Sequence, residues 1–253
     1  MVQVIDLNAD LGESFGPWVM GDDAAMLGLV SSANIACGGH AGDPEVMFQT
    51  VTLAKAGAVR VGAHPGYADL AGFGRRVIPM PPEAVGRMVA AQVGALVGVA
   101  MLAGARVDYV KPHGALANLA ADDRAVAEAI AAAVAALGLP LLAISGTMLE
   151  QVARARGMQV FSEVFADRGY LASGRLVPRG QTGAMLTDPA EAAARLVAFL
   201  QSGLMPVVDG EPIPLTAHSV CVHGDSPGAV AMAREVRERL TAAGVIIAPF
   251  LAG

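Results

Sequence analysis

The chain has 253 residues, 54% of them apolar and 4% aromatic, with a formal net charge of −6; it is long enough for one large core and too apolar for a disordered protein. The acidic balance, with Lys55 and Lys111 the only lysines, argues against a nucleic-acid or anionic-membrane surface, because both need clustered basic residues. Cys37 and Cys221 lie in apolar runs and imply no disulfide framework, so a reducing compartment is expected.

The first segment, Val4 to Glu13, sets Asp6, Asn8 and Asp10 at every second position among Val4, Ile5, Leu7, Ala9 and Leu11. That is the period of a strand with three polar groups on one face. Buried carboxylates need donors, a cation or a ligand, so this face is a candidate site. The alternative is an edge strand facing water.

Gly21-Asp22-Asp23 caps a short helix through Leu29, and Ser31 to Cys37 reads as a second strand ending at Gly38-Gly39-His40-Ala41-Gly42-Asp43. Asp43-Pro44 starts a helix to about Ala56. A third strand, Val59 to Ala63, ends in His64-Pro65-Gly66, and a Gly-rich polar loop follows from Tyr67 to Arg76. Pro81-Pro82-Glu83 opens a long helix to about Ala103, and Val107 to Val110 then runs into Lys111-Pro112-His113-Gly114. Asp122-Asp123 caps a helix through Ala136, Leu139 to Ser145 is a fifth strand, and Gly146-Thr147 begins the next helix. Met158 to Val164 delivers Glu163. Ala166-Asp167-Arg168-Gly169-Tyr170 leads into a turn-rich stretch to Thr187, long enough for a lid or binding loop. Asp188-Pro189 caps a helix to about Leu200, and a small excursion spans Asp209 to Pro214. Ser219 to Val222 ends in His223-Gly224-Asp225, Ser226-Pro227 caps the last helix, and Val245 to Ala248 is a short closing strand.

Two uncharged runs, Met88 to Ala105 and Ala129 to Leu149, read as buried elements rather than membrane spans. The first carries Gln92, and the second is broken by Gly138 and Pro140. The first residues hold neither a basic region nor an apolar signal core, so a cytoplasmic protein is expected. Strand then helix, repeated about seven times, calls for a parallel sheet joined by right-handed crossovers. The polar residues gather at strand C-terminal ends, where barrels of this type hold their sites. No Gly-x-Gly-x-x-Gly follows the first strand, which disfavours a doubly wound sheet. The expectation is one α/β domain, a (β/α)7-type TIM-like barrel, either closed or irregular and incompletely closed.

His40, His64, His113 and His223 fall at those ends. One histidine near a strand is usually structural; four at one mouth point to a site. Asp10, His40 and His64 make a set able to hold zinc or another divalent ion, although ligands from separate strands leave no spacing signature. Lys111 and His113 share a strand face. Lys111 either pairs with Asp10 or Glu163, or receives an anionic substrate group or oxyanion. Asp10 and Glu13 suit a general base or water-positioning group, with helix capping the alternative for Glu13. Glu163 and Arg168 read equally as a structural pair. Cys37 reads as a buried small hydrophobe before a nucleophile. No Gly-x-x-x-x-Gly-Lys-Ser/Thr loop occurs, so a nucleotide must be held by another mode or on another chain.

Six blocks in order, Asp6-Leu7-Asn8-Ala9-Asp10-Leu11-Gly12-Glu13, Ser31 through Asp43, Gly62-Ala63-His64-Pro65, Lys111-Pro112-His113-Gly114-Ala115-Leu116, Ala166-Asp167-Arg168-Gly169-Tyr170 and His223-Gly224-Asp225, resemble the LamB/YcsF family. The resemblance implies a barrel similar to polysaccharide deacetylases. It also implies the role of the A-type component in an ATP-dependent 5-oxoprolinase, which opens 5-oxo-L-proline to L-glutamate with subunits B and C as partners. ATP is then a co-substrate, with magnesium on the nucleotide or a transition metal in the site. Asp10, Glu13, Lys111 and His113 become the catalytic candidates, with Asp10 or Glu13 as base. Asn8, His40, His64, Glu163, Arg168, Arg179 and His223 become the substrate-binding ones, with Arg168 or Arg179 on the substrate carboxylate. Gly39, Ala117 and Ser173 depart from the family, where an aromatic, Tyr and Asp are common. Two other readings stand beside it: a metal-dependent amide hydrolase or carbohydrate deacetylase built on Asp10, His40 and His64, and a non-catalytic lactam-binding component. Each is compatible with a homo-oligomer.

Overall fold

Seven parallel strands close a ring in the computed structural model, which describes residues 3–225 and 228–251. In chain order the elements are β1 (Val4–Leu11), α1 (Asp23–Leu27), β2 (Ser32–Ala36), α2 (Pro44–Ala56), β3 (Arg60–His64) and α3 (Pro82–Leu102). Then come β4 (Tyr109–Val110), α4 (Gly114–Ala120), α5 (Arg124–Ala136), β5 (Leu141–Ile144), α6 (Met148–Ala155) and β6 (Val160–Phe165). The chain ends with α7 (Pro189–Ser202), β7 (Leu204–Met205), β8 (Ile213–Pro214), β9 (Ser219–His223), α8 (Ala229–Ala242) and β10 (Ile246–Ile247). Strands β1 to β6 are neighbours in order, β9 follows β6, and β9 returns to β1 through Asp6↔Ser219 to Asp10↔His223. The barrel is therefore closed, as the alternation of strands and helices requires for a parallel sheet without edges.

The outer faces of the strands, with Leu7, Ala9, Leu11, Ile35, Val61, Ala63, Val164, Val220 and Val222 buried, pack under the helices. Asp43, Asp123, Asp188 and Thr147 each accept from backbone N–H groups in the first turn of α2, α5, α7 and α6. Such caps contribute about 1 kcal/mol each and explain why these starts are legible in the sequence. The expected cap at Ser226-Pro227 lies outside the described residues.

Three departures have local causes. Strand β4 is only two residues long, and Pro112, two positions beyond its end, carries no N–H to extend the ladder. Helix α4 is absent from the sequence-based expectation; His113 stands at its N-cap and makes no side-chain cap bond, so no start signal stands in the sequence. The short closing strand exists as β10, but it pairs with β1 at Val4 and Ile5 and lies outside the ring. Between Asp167 and Asp188 the chain makes only isolated bridges, Arg168↔Met185 and Tyr170↔Leu176, and forms a long loop over the barrel mouth. Helix α3, long and apolar enough to cross a membrane by length and composition, packs beside α2 and α5 and buries Val85, Val89, Val93, Leu96 and Ala100.

Candidate functional site

The interior of the barrel is polar, in layers set by the alternation of β1. At the bottom Asp6 accepts from Ser31, Ser32 and Ser219; burial nevertheless pushes its carboxyl up to about 6. Below it Phe250 packs on Tyr109 and Phe161 and plugs the end of the barrel. Strand β3 has a glycine at 62 because a Cβ there would collide with the Tyr109 ring. In the middle layer Asn8 donates to Glu163 at 3.0 Å and to Ser219 at 2.6 Å. Asn34, from β2, donates to Asn8 and Asp10 and accepts from the Tyr109 hydroxyl.

Lys111 sits above this layer, buried. Its Nζ lies 2.8 Å from Asp10 Oδ1, 2.9 Å from Glu163 Oε1 and 3.1 Å from Cys221 Sγ. An ammonium has three donors, and these are its three nearest partners, with Asn8 Oδ1 a longer contact at 3.4 Å. Burial opposes the charge on Lys111, yet Asp10, Cys221 and Glu163 hold its pKa well above the ordinary value. Burial would likewise raise Asp10, but His64 and Lys111 hold it well below the carboxylate range. Glu163 is raised by burial, and among the described residues its Oε2 has no hydrogen-bond partner. Lys111 thus takes the ion-pair role with both acids at once.

Three histidines converge beside Asp10. His64 Nδ1 is 2.7 Å from the Lys111 carbonyl, and His113 Nε2 is 2.9 Å from the Phe73 carbonyl. A carbonyl only accepts, so both of those nitrogens carry the proton. The opposite nitrogens, His64 Nε2 and His113 Nδ1, face each other at 3.0 Å. His64 Nε2 also lies 3.4 Å from Asp10 Oδ2, and His113 Nδ1 lies 3.6 Å from Glu13 Oε1. His40 stacks on His113 at 3.6 Å between ring centroids, and its Nε2 meets Glu13 Oε1 at 2.9 Å. Burial lowers His40 to about 3 and, with the neighbouring histidines, lowers His113 well below its usual value. Burial and the Asp10 charge push Glu13 up to about 8. The loop after β3 makes this possible: Phe73 adopts φ 54, which presents its carbonyl to His113, and Gly74 at φ +62 passes where a Cβ would lie 2.7 Å from His40.

The mouth is cationic. A cavity of about 660 Å³ is lined by Asp10, His64, Lys111, His113, Glu163, Arg168, Arg179 and His223 among others. His223 Nδ1 contacts both oxygens of Asp167, at 2.9 and 2.8 Å. Burial works against the charge on His223, and Asp167 more than offsets it, so the imidazole is raised above its ordinary value. Arg168 donates to the carbonyls of Ala184 and Val177 and so ties the long loop together. Arg195 of α7 holds the carbonyls of Phe165, Ala166 and Arg168. Arg75 pairs with Asp225. Among the described residues Arg179 has no ion pair and only a 3.6 Å contact to the Met185 sulfur.

The predicted site residues thus gather at one end of the barrel, in two groups. Asp10, His64, Lys111, His113, Glu163, Arg168, Arg179 and His223 line the cavity, whereas Asn8, Glu13 and His40 stand behind its wall. Glu163 pairs with Lys111 rather than Arg168. The donor atoms of Glu13, His40, His64 and His113 lie within 4.8 Å of one another, a different metal-capable set from Asp10, His40 and His64. Cys37 is buried with its thiol pushed up to about 12, as a small hydrophobe would be. Sequence reasoning misses Asn34, Phe73, Arg75, Asp167 and Asp225 as individual members of the site. The alternation of Ser32 and Asn34 in β2, and the position of Phe73 and Arg75 in the loop after β3, are the signals that could have found them.

The LamB/YcsF family model matches residues 5–252. The A-type component of 5-oxoprolinase from Nocardia farcinica is 53% identical over 249 residues, covering 98% of this chain and 99% of its own. The lactam utilization protein of Thermus thermophilus is 46% identical with a TM-score of 0.91, over 97% of this chain and 99% of its own. The T48 deacetylase, 10% identical with a TM-score of 0.50 over 98% and 89% of the two chains, shares the fold alone.

Proposed function

The chain belongs to the LamB/YcsF family, and from that membership we propose that it is the lactam-opening component of an ATP-dependent 5-oxoprolinase, working with subunits B and C. The observation that carries the reading is a single cavity in which a fixed carboxylate, Asp10, faces imidazoles and unpaired cationic charge. A five-membered lactam is resonance-stabilised and has a poor amine leaving group, so coupling to ATP is expected. Transfer of the terminal phosphoryl group to the lactam oxygen turns that carbon into an electrophile. Water then adds to it and gives up a proton, the C–N bond breaks as the nitrogen is protonated, and a second water hydrolyses the remaining acyl phosphate to L-glutamate and phosphate.

The residues divide this work by position. Arg179, a cavity-lining cation with neither a carboxylate nor a backbone carbonyl as partner among the described residues, receives the substrate carboxylate. Asp10, held ionised by Lys111 and His64, orients the attacking water and takes its proton. His223, kept protonated by Asp167, supplies the proton to the departing nitrogen. Glu13 and His40 lie behind the cavity wall, where His40 meets Glu13 and Glu13 meets His113. With no phosphate-cradling Gly-Lys-Ser/Thr loop in this sequence, the nucleotide belongs to the partner chains.

The test is L-glutamate release from 5-oxoproline and ATP, by this chain alone, by the candidate partners alone and by the mixture. Release is expected only from the mixture. Robust 5-oxoproline-dependent ATP hydrolysis by the isolated chain, or full turnover by the partners without it, would contradict the assignment.

A further inference from the structure

With both rings neutral, the two nitrogens that face each other across 3.0 Å are both acceptors. His64 has its only neutral-ring proton on Nδ1, committed to the Lys111 carbonyl, and His113 has its own on Nε2, committed to the Phe73 carbonyl. Two lone pairs left pointing at one another inside a protein repel, and burial removes the water that would separate them. An arrangement of this kind persists when a cation stands between the lone pairs.

The surroundings match what a metal ion requires. Ligand atoms about 2.1 Å from one ion lie roughly 3.0 to 3.5 Å apart. Here His64 Nε2 and His113 Nδ1 are 3.0 Å apart, and Glu13 Oε1 is 3.6 Å from His113 Nδ1. Imidazoles that bind metals donate the remote N–H to a carbonyl or carboxylate, which fixes the tautomer and turns the lone pair inward. Both rings do so, and one of the two carbonyls is presented by a non-glycine residue at φ 54. The Glu13 carboxylate is in turn oriented by His40, whose other nitrogen, Nδ1, is buried against Gly66 and has no hydrogen-bond partner among the described residues.

We propose that His64 Nε2, His113 Nδ1 and Glu13 Oε1 hold a divalent transition-metal ion at the floor of the cavity, zinc being the best match to two imidazoles and one carboxylate. Asp10 Oδ2, 3.4 Å from His64 Nε2, stands beside the remaining coordination positions. His64, His113 and Asp10 line the cavity, so those positions open toward a ligand. The bound ion would polarise a carbonyl oxygen or acidify a water there; that role rests on the lactam-opening reading, while ion binding itself does not.

The full chain, stripped with a chelator and dialysed, is titrated with zinc sulfate alone by calorimetry, beside His64→Gln, His113→Gln and Glu13→Gln variants checked for fold by circular dichroism. One equivalent of zinc per chain is expected, with affinity lowered at least about 100-fold by either histidine change and about 10-fold or more by the glutamate change. Absence of stoichiometric binding by the unaltered chain, or unchanged affinity in folded His64→Gln and His113→Gln, overturns the site. Should the variants fail to fold, X-ray absorption of the zinc-loaded unaltered chain decides: two imidazoles in the coordination shell support the proposal, and any other number overturns it. Glutamate release by the full complex is assayed separately, so a failure of the lactam-opening reading leaves the zinc-binding result standing.

Discussion

Replacing Lys111 by methionine removes the positive charge that touches two buried acids. Its Nζ lies 2.8 Å from Asp10 Oδ1 and 2.9 Å from Glu163 Oε1, and all three side chains are buried. Breaking a buried ion pair from one side costs about 3–5 kcal/mol, because the abandoned charge stays out of water. In a chain of this size 1 kcal/mol lowers Tm by about 2–4 °C, so a fall of roughly 6–20 °C is expected at pH 7. The loss depends on pH with a definite sign. In the unaltered chain Asp10 has a depressed folded pKa, which contributes stability above its unfolded value, and that contribution is lost as pH falls. In the variant the unpaired acids have raised folded pKa values, so the variant loses stability as pH rises from the ordinary carboxylate range toward neutrality. The gap between the two proteins therefore narrows on acidification. Urea unfolding at pH 7 and pH 4.5 measures it, and adding Glu163→Gln to the methionine variant should restore about 1–3 kcal/mol. A destabilisation below about 1 kcal/mol at pH 7, or one that does not change with pH, would refute the reading of Lys111 as the counter-ion of the barrel interior. Turnover by the reconstituted complex should vanish in the folded variant, since Asp10 loses the partner that holds it.

Arg179→Ala should raise KM for 5-oxoproline in the reconstituted complex about ten- to a hundredfold with kcat little changed, the result of losing a charged hydrogen bond of about 1.5–3 kcal/mol; an unaltered KM would transfer the carboxylate to another residue. For His223→Gln the stability difference from the unaltered chain should be greatest between about pH 4 and pH 6.5. The raised His223 contributes below its unfolded pKa and fades as pH rises through the folded value, and the depressed Asp167 fades as pH falls. Thermal melts from about pH 4 to about pH 9 check this, and a flat difference would mean that the pair is neutral in the folded state.

Much of this architecture is legible without coordinates because it rests on local rules. The period of two in β1, the aspartate caps before α2, α5 and α7, and the glycines and prolines after the strands depend on a few neighbouring residues. They specify a repeating strand and helix, and crossover handedness turns that repeat into a barrel with polar strand ends at one mouth. Where local signals are weak, as at the uncapped α4, sequence reasoning misses the element.

Which polar residue faces which is decided only in three dimensions. Asp10, His64, Lys111 and His223 come from four strands or strand ends, and their mutual distances follow from the register of the closed ring, a property of the whole sheet. The protonation of the histidines depends on two backbone carbonyls, those of Lys111 and Phe73, that no side-chain spacing encodes. Burial and neighbouring charges together then set the ionisation: His64 and Lys111 keep Asp10 ionised against its burial, whereas burial and the Asp10 charge raise Glu13 only three residues along the same chain. Sequence alone determined the acids, imidazoles and cations available at the barrel mouth; long-range packing determined which of them are paired, which are walled off and which remain free to meet a substrate.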